Sequence, residues 1–261
     1  MSNESIVLSS MKKVSTIENA TAKAMGKSML KFEKLLVTDQ LSIADDLLIN
    51  VSKAYENTAR LLTESGYYEV VGELIGPDRQ ALLDVTYKQY KELYNESLRY
   101  NEVSLARLDA MKQVDLVRFN QLANNANVSI TEQIIQMQFD PTMTQKTIAE
   151  SIITNDLVAK NLGNYADTWV KTKTSGFYNQ TNIDLGTDNG FEYFLYAGRT
   201  GGNIRPFCSK YVGQIKTISE WNKLDNDALR KGQPLPVSTF LGGYNCVHAM
   251  VATKKPKALA A

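Results

Sequence analysis

A chain of 261 residues can bury a substantial core, as one large domain or two smaller ones. Its composition, 43% apolar and 22% charged, is that of an ordinary globular protein, and a net charge of +1 selects no partner by bulk charge. No apolar run approaches the roughly 18 residues of a membrane span, and two cysteines at this length are not a disulfide framework.

The opening MSNESIVLSS lacks a basic region followed by an apolar core, so the chain reads as cytosolic when made. Residues 4–37 carry Ile6, Val7, Met11, Val14, Ile17, Ala20, Ala24, Met29, Phe32, Leu35 and Leu36 at three and four spacing, which predicts an amphipathic helix with Gly26 as its weak point. Lys12, Lys13, Lys23, Lys27, Lys31 and Lys34 line either a groove for DNA or a solvated face, and Glu4, Glu18 and Glu33 dilute them toward the second. Thr38 and Asp39 offer an N-cap for a helix to about residue 63, which Gly66 ends. Gly76-Pro77 closes the short apolar segment after it.

Residues 78–122 contain neither Gly nor Pro, and Leu83, Tyr87, Tyr90, Tyr94, Leu98, Leu105, Leu108, Met111, Leu116 and Phe119 form a stripe. This predicts one unbroken helix of roughly 65 Å at 1.5 Å per residue. Its tyrosines at helical spacing read as core or interface before they read as a platform for bases. Asn124 to Asn127 predicts a break, and Ser129 with Glu132 a capping box opening a short helix that Asp140-Pro141 ends. Further helices are expected over 142–162 and 164–180.

The texture then changes. Ten of the 15 glycines and four of the six prolines fall between residues 176 and 256, which places a boundary near Gly186. Of the 29 basic and 28 acidic residues, ten and four lie in 190–261, net +6, leaving 19 against 24, net −5, before them. Residues 191–196 predict the best strand, and Thr217 with Glu220 a capping box for a short helix bearing Trp221.

Both cysteines and the only histidine sit in this last region, at Cys208, Cys246 and His248. Cys and His at such spacings suit a zinc site of three ligands, a disulfide, or two buried thiols beside a hydrogen-bonded histidine, and all three stay open. Three ligands are one short of a closed site, which Asp225 or a water would complete; Arg205 would repel a cation and suits loop carbonyls instead. A thiolate activated by His248 is the nucleophilic alternative, but no serine-hydrolase, zinc-protease, phosphate-loop or paired-carboxylate pattern accompanies it, so no enzyme is expected.

The strand at 191–196 is followed by Arg205-Pro206-Phe207-Cys208, by Gly213, by the Trp221 helix, by a Pro-rich loop and by Gly242-Gly243-Tyr244-Asn245-Cys246-Val247-His248. This order resembles the C-terminal domain of tailed-phage minor head proteins, the head-morphogenesis family often called Mu-F-like. Many of its members have the form R-P-F-C … G-G-Y-N-C-R-H, and others carry Cys-x-x-Cys with Cys-x-Cys. Against the four-cysteine form, Arg205 and His248 stand at the first and last cysteine; against the other, Val247 replaces an arginine. The resemblance implies a structural virion protein at or near the portal vertex, made in the host cytoplasm and acting in head assembly or genome delivery. It also implies portal and capsid proteins as partners, several copies, no turnover, and a helix before the small domain that packs on its sheet. A DNA-binding module using the basic C-terminal unit on packaged genome is the alternative. The expected fold is mainly α with a small α+β C-terminal domain: an elongated helical interaction domain, 1–185, with one long helix, and a compact unit, 186–261.

Overall fold

The computed structural model describes residues 2–40, 51–139, 165–201, 204–224 and 236–254. The expectations for 41–50 and 142–162, for Asp225, and for the Pro-rich loop up to residue 235 lie outside them. The protein is mainly helical with a small three-stranded antiparallel sheet near its C-terminus, as the sequence predicts. Packing divides the chain into two compact units. One comprises Met1–Asn19, Gly76–Gln113 and Trp169–Ala261, the other Ala20–Ile75 and Val114–Thr168. Residues 186–261 therefore share a unit with three earlier segments, and the composition shift near Gly186 falls inside a helix rather than in a linker.

Helix α1 spans Asn3–Leu35, uninterrupted at Gly26, and a π-helical turn follows at Leu36–Gln40. Thr38 lies in that turn and its hydroxyl bonds back to the Lys34 and Leu35 carbonyls, while the residues it is expected to cap lie outside the described ones. Helix α2, Val51–Glu64, ends where Gly66 takes the left-handed conformation at φ 86°, and α3, Tyr67–Glu73, leads into a second π-helical turn, Leu74–Asp78, that contains Pro77.

The single helix predicted over 78–122 is instead two, α4 at Arg79–Tyr94 and α5 at Glu102–Gln138. Asn95 stops α4 in the left-handed conformation at φ 55°, which its short amide side chain tolerates, and its N–H bonds to the Lys91 carbonyl. The restart is capped from elsewhere. Asp188 accepts from the Asn101 N–H at 2.8 Å and from the Ser104 hydroxyl at 3.0 Å, and Asn101 Oδ1 accepts from the Ser104 N–H at 2.8 Å. The absence of Gly and Pro hid a break made by Asn. Conversely, α5 runs straight through 124–127 and past Ser129, so neither the predicted break nor the capping box exists there. Each asparagine costs a helix only a few tenths of a kcal/mol, and burial of Ala123, Ala126, Asn127 and Ile130 outweighs it. The long helix thus lies later than predicted, and α1 is nearly as long.

In the second unit, Phe32, Leu61, Leu62, Tyr67, Val71 and Phe119 are buried, and the Tyr67 hydroxyl donates to the Phe119 carbonyl at 2.8 Å. Burial raises the Tyr67 phenol well above its ordinary value.

The sheet belongs to the first unit. Strand β1, Tyr193–Ala197, lies between β2, Ile215–Thr217, and β3, Ala249–Thr253, with Phe194 opposite Lys216 and Ala252, and Tyr196 opposite Met250. Helix α6, Tyr165–Asp188, packs on the face carrying Phe194 and Ala252, the role expected for 164–180. It fits because Gly186 has no side chain: a Cβ there would stand 2.5 Å from Ala252 Cβ. Among the described residues, the outer edge of β3 is closed by side chains and by no further strand. Asn179 accepts from the Met250 N–H at 2.9 Å, Tyr90 accepts from the Ala252 N–H at 2.8 Å, and Tyr94 donates to the Ala252 carbonyl at 2.6 Å.

Candidate functional site

Two short segments over β1 build the site. Arg205 is extended and Pro206 opens α7, Pro206–Tyr211, at a first-turn position where its missing N–H costs nothing. Cys208 follows one residue on from Phe207 and turns inward, 3% exposed. After α7, Gly213 at φ 85° reverses the chain into β2 and donates its N–H to the Tyr196 carbonyl at 2.8 Å. The predicted capping box at Thr217 and Glu220 is present and opens α8, Ile218–Asn222; backbone and hydroxyl bonds from Thr217 lower the Glu220 pKa. Trp221 is fully buried and donates its indole N–H to the Phe194 carbonyl at 3.0 Å.

The second segment leaves α9, Val237–Phe240, through three residues of positive φ, Leu241, Gly243 and Asn245, which coil it tightly. Gly243 donates to the Phe240 carbonyl at 2.8 Å, Cys246 to the Gly243 carbonyl at 3.1 Å, and the Asn245 N–H to Thr172 Oγ1 at 3.1 Å. Tyr244 is half-buried, while Val247 is exposed between the buried Cys246 and His248, as alternation along an extended strand requires. Gly242 is held in place by a close approach: a Cβ there would stand 2.4 Å from Cys208 Sγ and 3.1 Å from Cys246 Sγ.

Residues 38 apart in sequence therefore meet. Cys208 Sγ and Cys246 Sγ lie 3.9 Å apart, and Cys246 Sγ lies 3.6 Å from His248 Nδ1. Both cysteines are free thiols. Arg205 bonds a loop carbonyl, as its fork of donors suggests: it donates from Nη1 to the Gly242 carbonyl at 2.7 Å, tying the two segments together. Phe207 packs edge-on to Tyr196, with ring centroids 6.2 Å apart.

Sequence reasoning missed Tyr196 and Gly198. The Tyr196 hydroxyl donates to Cys208 Sγ at 3.2 Å and lies 3.8 Å from Cys246 Sγ, while its ring stacks on His248, 5.3 Å between centroids and 8° from parallel. A tyrosine inside a strand reads as core, and nothing local marks the hydroxyl as a partner for sulfur. Gly198 leaves room for the imidazole, since its Cβ would stand 2.2 Å from His248 Cδ2.

The two thiols share a proton unequally. The hydrogen bond from Cys246 lowers Cys208 to about 6 against the effect of burial, with Tyr196 and the Arg205 charge helping; the same bond and burial push Cys246 up to about 12. Burial foremost drives the Tyr196 phenol far above its ordinary value, so it stays a donor. Chemically, two sulfurs and an imidazole nitrogen turned on one point can hold a soft or borderline metal ion, close a disulfide, or stand as a hydrogen-bonded thiol pair. The chain matches no protein-family model, and neither a curated protein nor a solved structure matches it.

Proposed function

We propose that this chain is a structural protein of a tailed-phage head, a minor head protein acting at or near the portal vertex in head assembly or genome delivery. The observation that supports the reading is the meeting of 205–208 with 242–248 over β1. These are the segments that bear the family resemblance, and in the fold they make one interlocked element: Arg205 on the Gly242 carbonyl, Gly242 against the Cys208 sulfur, and Trp221 bonded to the strand between them. The mainly helical remainder suits a protein that works by binding neighbours along long helical faces. Its partners are portal and capsid proteins, its role is assembly without turnover, and it acts in the virion head. The test is co-expression of the chain with the portal protein of the same phage, followed by size-exclusion chromatography and a reconstruction of the virion. A stable complex and density for the chain at the portal vertex support the reading. Heads that form normally without the chain, and virions that lack it, overturn it.

The net +6 of residues 190–261 favours a second reading, contact with packaged DNA through phosphate neutralisation. Binding by such contacts is independent of sequence and falls steeply between low and physiological salt. Absence of binding to duplex DNA at low salt removes this reading and leaves the first untouched.

A further inference from the structure

We propose that Cys208, Cys246 and His248 form a zinc site, with two thiolates and Nδ1 of His248 as its ligands.

Two of the three ligand separations are those of ligands around a tetrahedral ion. With Zn–S near 2.3 Å and Zn–N near 2.0 to 2.1 Å, neighbouring sulfurs stand about 3.8 Å apart and sulfur and nitrogen about 3.6 Å apart. The corresponding separations here are 3.9 Å and 3.6 Å, and all three ligand atoms fall within 4.8 Å of one another. Two of the three separations thus already suit a tetrahedral ion, and the third, within 4.8 Å, closes by rotation of the side chains around it.

The histidine is oriented for the task. Its Nε2 lies 3.3 Å from the Arg199 carbonyl, which can only accept, so Nε2 carries the proton and Nδ1 presents a lone pair to the sulfurs. This arrangement, one ring nitrogen bonded to a fixed acceptor and the other turned inward, is how metal-bound imidazoles are held. The stacked Tyr196 ring fixes the imidazole plane, and the lack of a side chain at Gly198 admits it.

The surroundings favour thiolates. The Gly242 N–H donates to Cys246 Sγ at 3.3 Å and the Tyr196 hydroxyl to Cys208 Sγ at 3.2 Å, while Arg205 adds a positive charge beside Cys208. Two thiolates and a neutral imidazole around a divalent ion sum to zero charge, which suits a site whose residues are 3%, 6% and 4% exposed, and the Arg205 charge that opposes a cation is partly taken up by its bond to the Gly242 carbonyl. The Tyr196 oxygen lies 3.2 Å and 3.8 Å from the two sulfurs. The ion would join α7 to the start of β3 and act as a structural clip. The inference rests on the geometry of the cluster and not on the assignment to a phage head.

The test uses the full chain purified under reducing conditions with zinc in the medium. The expected result is one zinc per chain after desalting, lost at least about tenfold more readily in Cys208→Ser, Cys246→Ser and His248→Gln. If these variants fail to fold, the wild-type chain decides alone. Stripped of metal, it should take up one equivalent of zinc in competition with a chromophoric chelator. It should bind cobalt with a sulfur-to-metal charge-transfer band, and its Tm should rise with zinc concentration. Wild-type chain that holds no zinc, takes none from the chelator and shows no cobalt–sulfur band overturns the proposal. So does a chain whose Cys208 and Cys246 are joined as a disulfide and which still binds zinc with unchanged affinity.

Discussion

The contact between α6 and the sheet can be tested by adding one methyl group. In Gly186→Ala the new Cβ would lie 2.5 Å from Ala252 Cβ and 3.0 Å from Phe194 Cε1, where carbon atoms normally sit about 3.5 to 4.0 Å apart. Neither atom can swing away, because Ala252 Cβ is fixed to a paired strand and Phe194 is 1% exposed. Helix and sheet must therefore separate by about 1 Å, which places the strain toward the upper part of the roughly 1 to 3 kcal/mol range for overpacking. Against this, alanine is about 1 kcal/mol better than glycine inside a helix. The net is a loss of about 2 kcal/mol, or about 4 to 8 °C in Tm for a chain of this size. Gly26→Ala is the control, since a Cβ at Gly26 in α1 meets nothing within 4 Å; that variant should gain up to about 1 kcal/mol from propensity alone. Thermal unfolding of both, with Gly186→Ala/Ala252→Gly as the compensating pair, completes the experiment. The pair should be less destabilised than the sum of its parts, because the methyl has moved from strand to helix. If Gly186→Ala raises Tm as Gly26→Ala does, the close approach of α6 to β3 is refuted.

Tyr90→Phe should cost about 1 to 3 kcal/mol by leaving the buried Ala252 N–H without an acceptor, and amide exchange at Ala252 should quicken more than at Val251; equal protection at the two would contradict the edge assignment. At Asn95, glycine should be neutral or slightly stabilising and alanine destabilising by about 1 kcal/mol or somewhat more, since φ there is 55°; equal urea midpoints for the two variants would deny the left-handed stop to α4. For the reduced, metal-free chain the lowered Cys208 pKa gives stability that is full above the ordinary thiol value and lost as pH falls through about 6, so stability relative to Cys208→Ser should rise with pH from 6 to 9. The raised Cys246 has the opposite sign, its contribution falling as pH climbs from about 9 toward about 12. A stability difference independent of pH between 6 and 9 would count against the shared proton.

How much was legible in the sequence depended on whether apolar periodicity carried the information. Helix α1 and strand β1 were readable because enough of their inward residues are apolar: Val7, Val14, Met29 and Phe32 of the predicted α1 stripe are buried, although Ala20 is exposed, Met25 falls outside the stripe, and Ser10, Glu18, Thr21 and Ser28 are buried beside it. So was the meeting of Cys208 with Cys246 and His248, though only as a consequence of residue chemistry. Helix α6 was readable as a helix but not as the centre of its unit, because much of what it buries is polar. Thr174, Asn179, Thr181, Asn182 and Asp184 are almost fully enclosed. Most of them bond other segments: Asn179 Nδ2 donates to the Thr239 carbonyl, Asn182 Oδ1 accepts from Gln89, and Thr181 meets the Thr86 hydroxyl, while the Thr174 hydroxyl has no hydrogen-bond partner among the described residues. Asp184 pairs with Arg107, and burial still raises its pKa above the usual carboxylate range. Arg79 is similarly out of reach of pattern reading: fully buried, it donates to the Lys173 carbonyl at 2.7 Å and lies over the Phe177 ring. A long-range hydrogen bond leaves no period, and a cap such as Asp188 on α5 lies 87 residues from the backbone N–H it satisfies.

The closure of the β3 edge also bears on the order in which the molecule comes together during synthesis. Tyr90 and Tyr94 are translated 162 and 158 residues before the Ala252 backbone they bond, and β1 cannot gain its longer partner until 249–253 have emerged. Until then the apolar faces of α1 and α4 that belong to this unit, including Val7, Val14, Leu82 and Leu83, wait without their cover. Contacts of such sequence separation form slowly because a large loop must close before anything rewards it. The nascent chain should consequently be most prone to stick to itself just before its last strand is made. Removal of residues 249–253 should then produce a chain that keeps much of its helix content by circular dichroism yet binds hydrophobic dyes and aggregates.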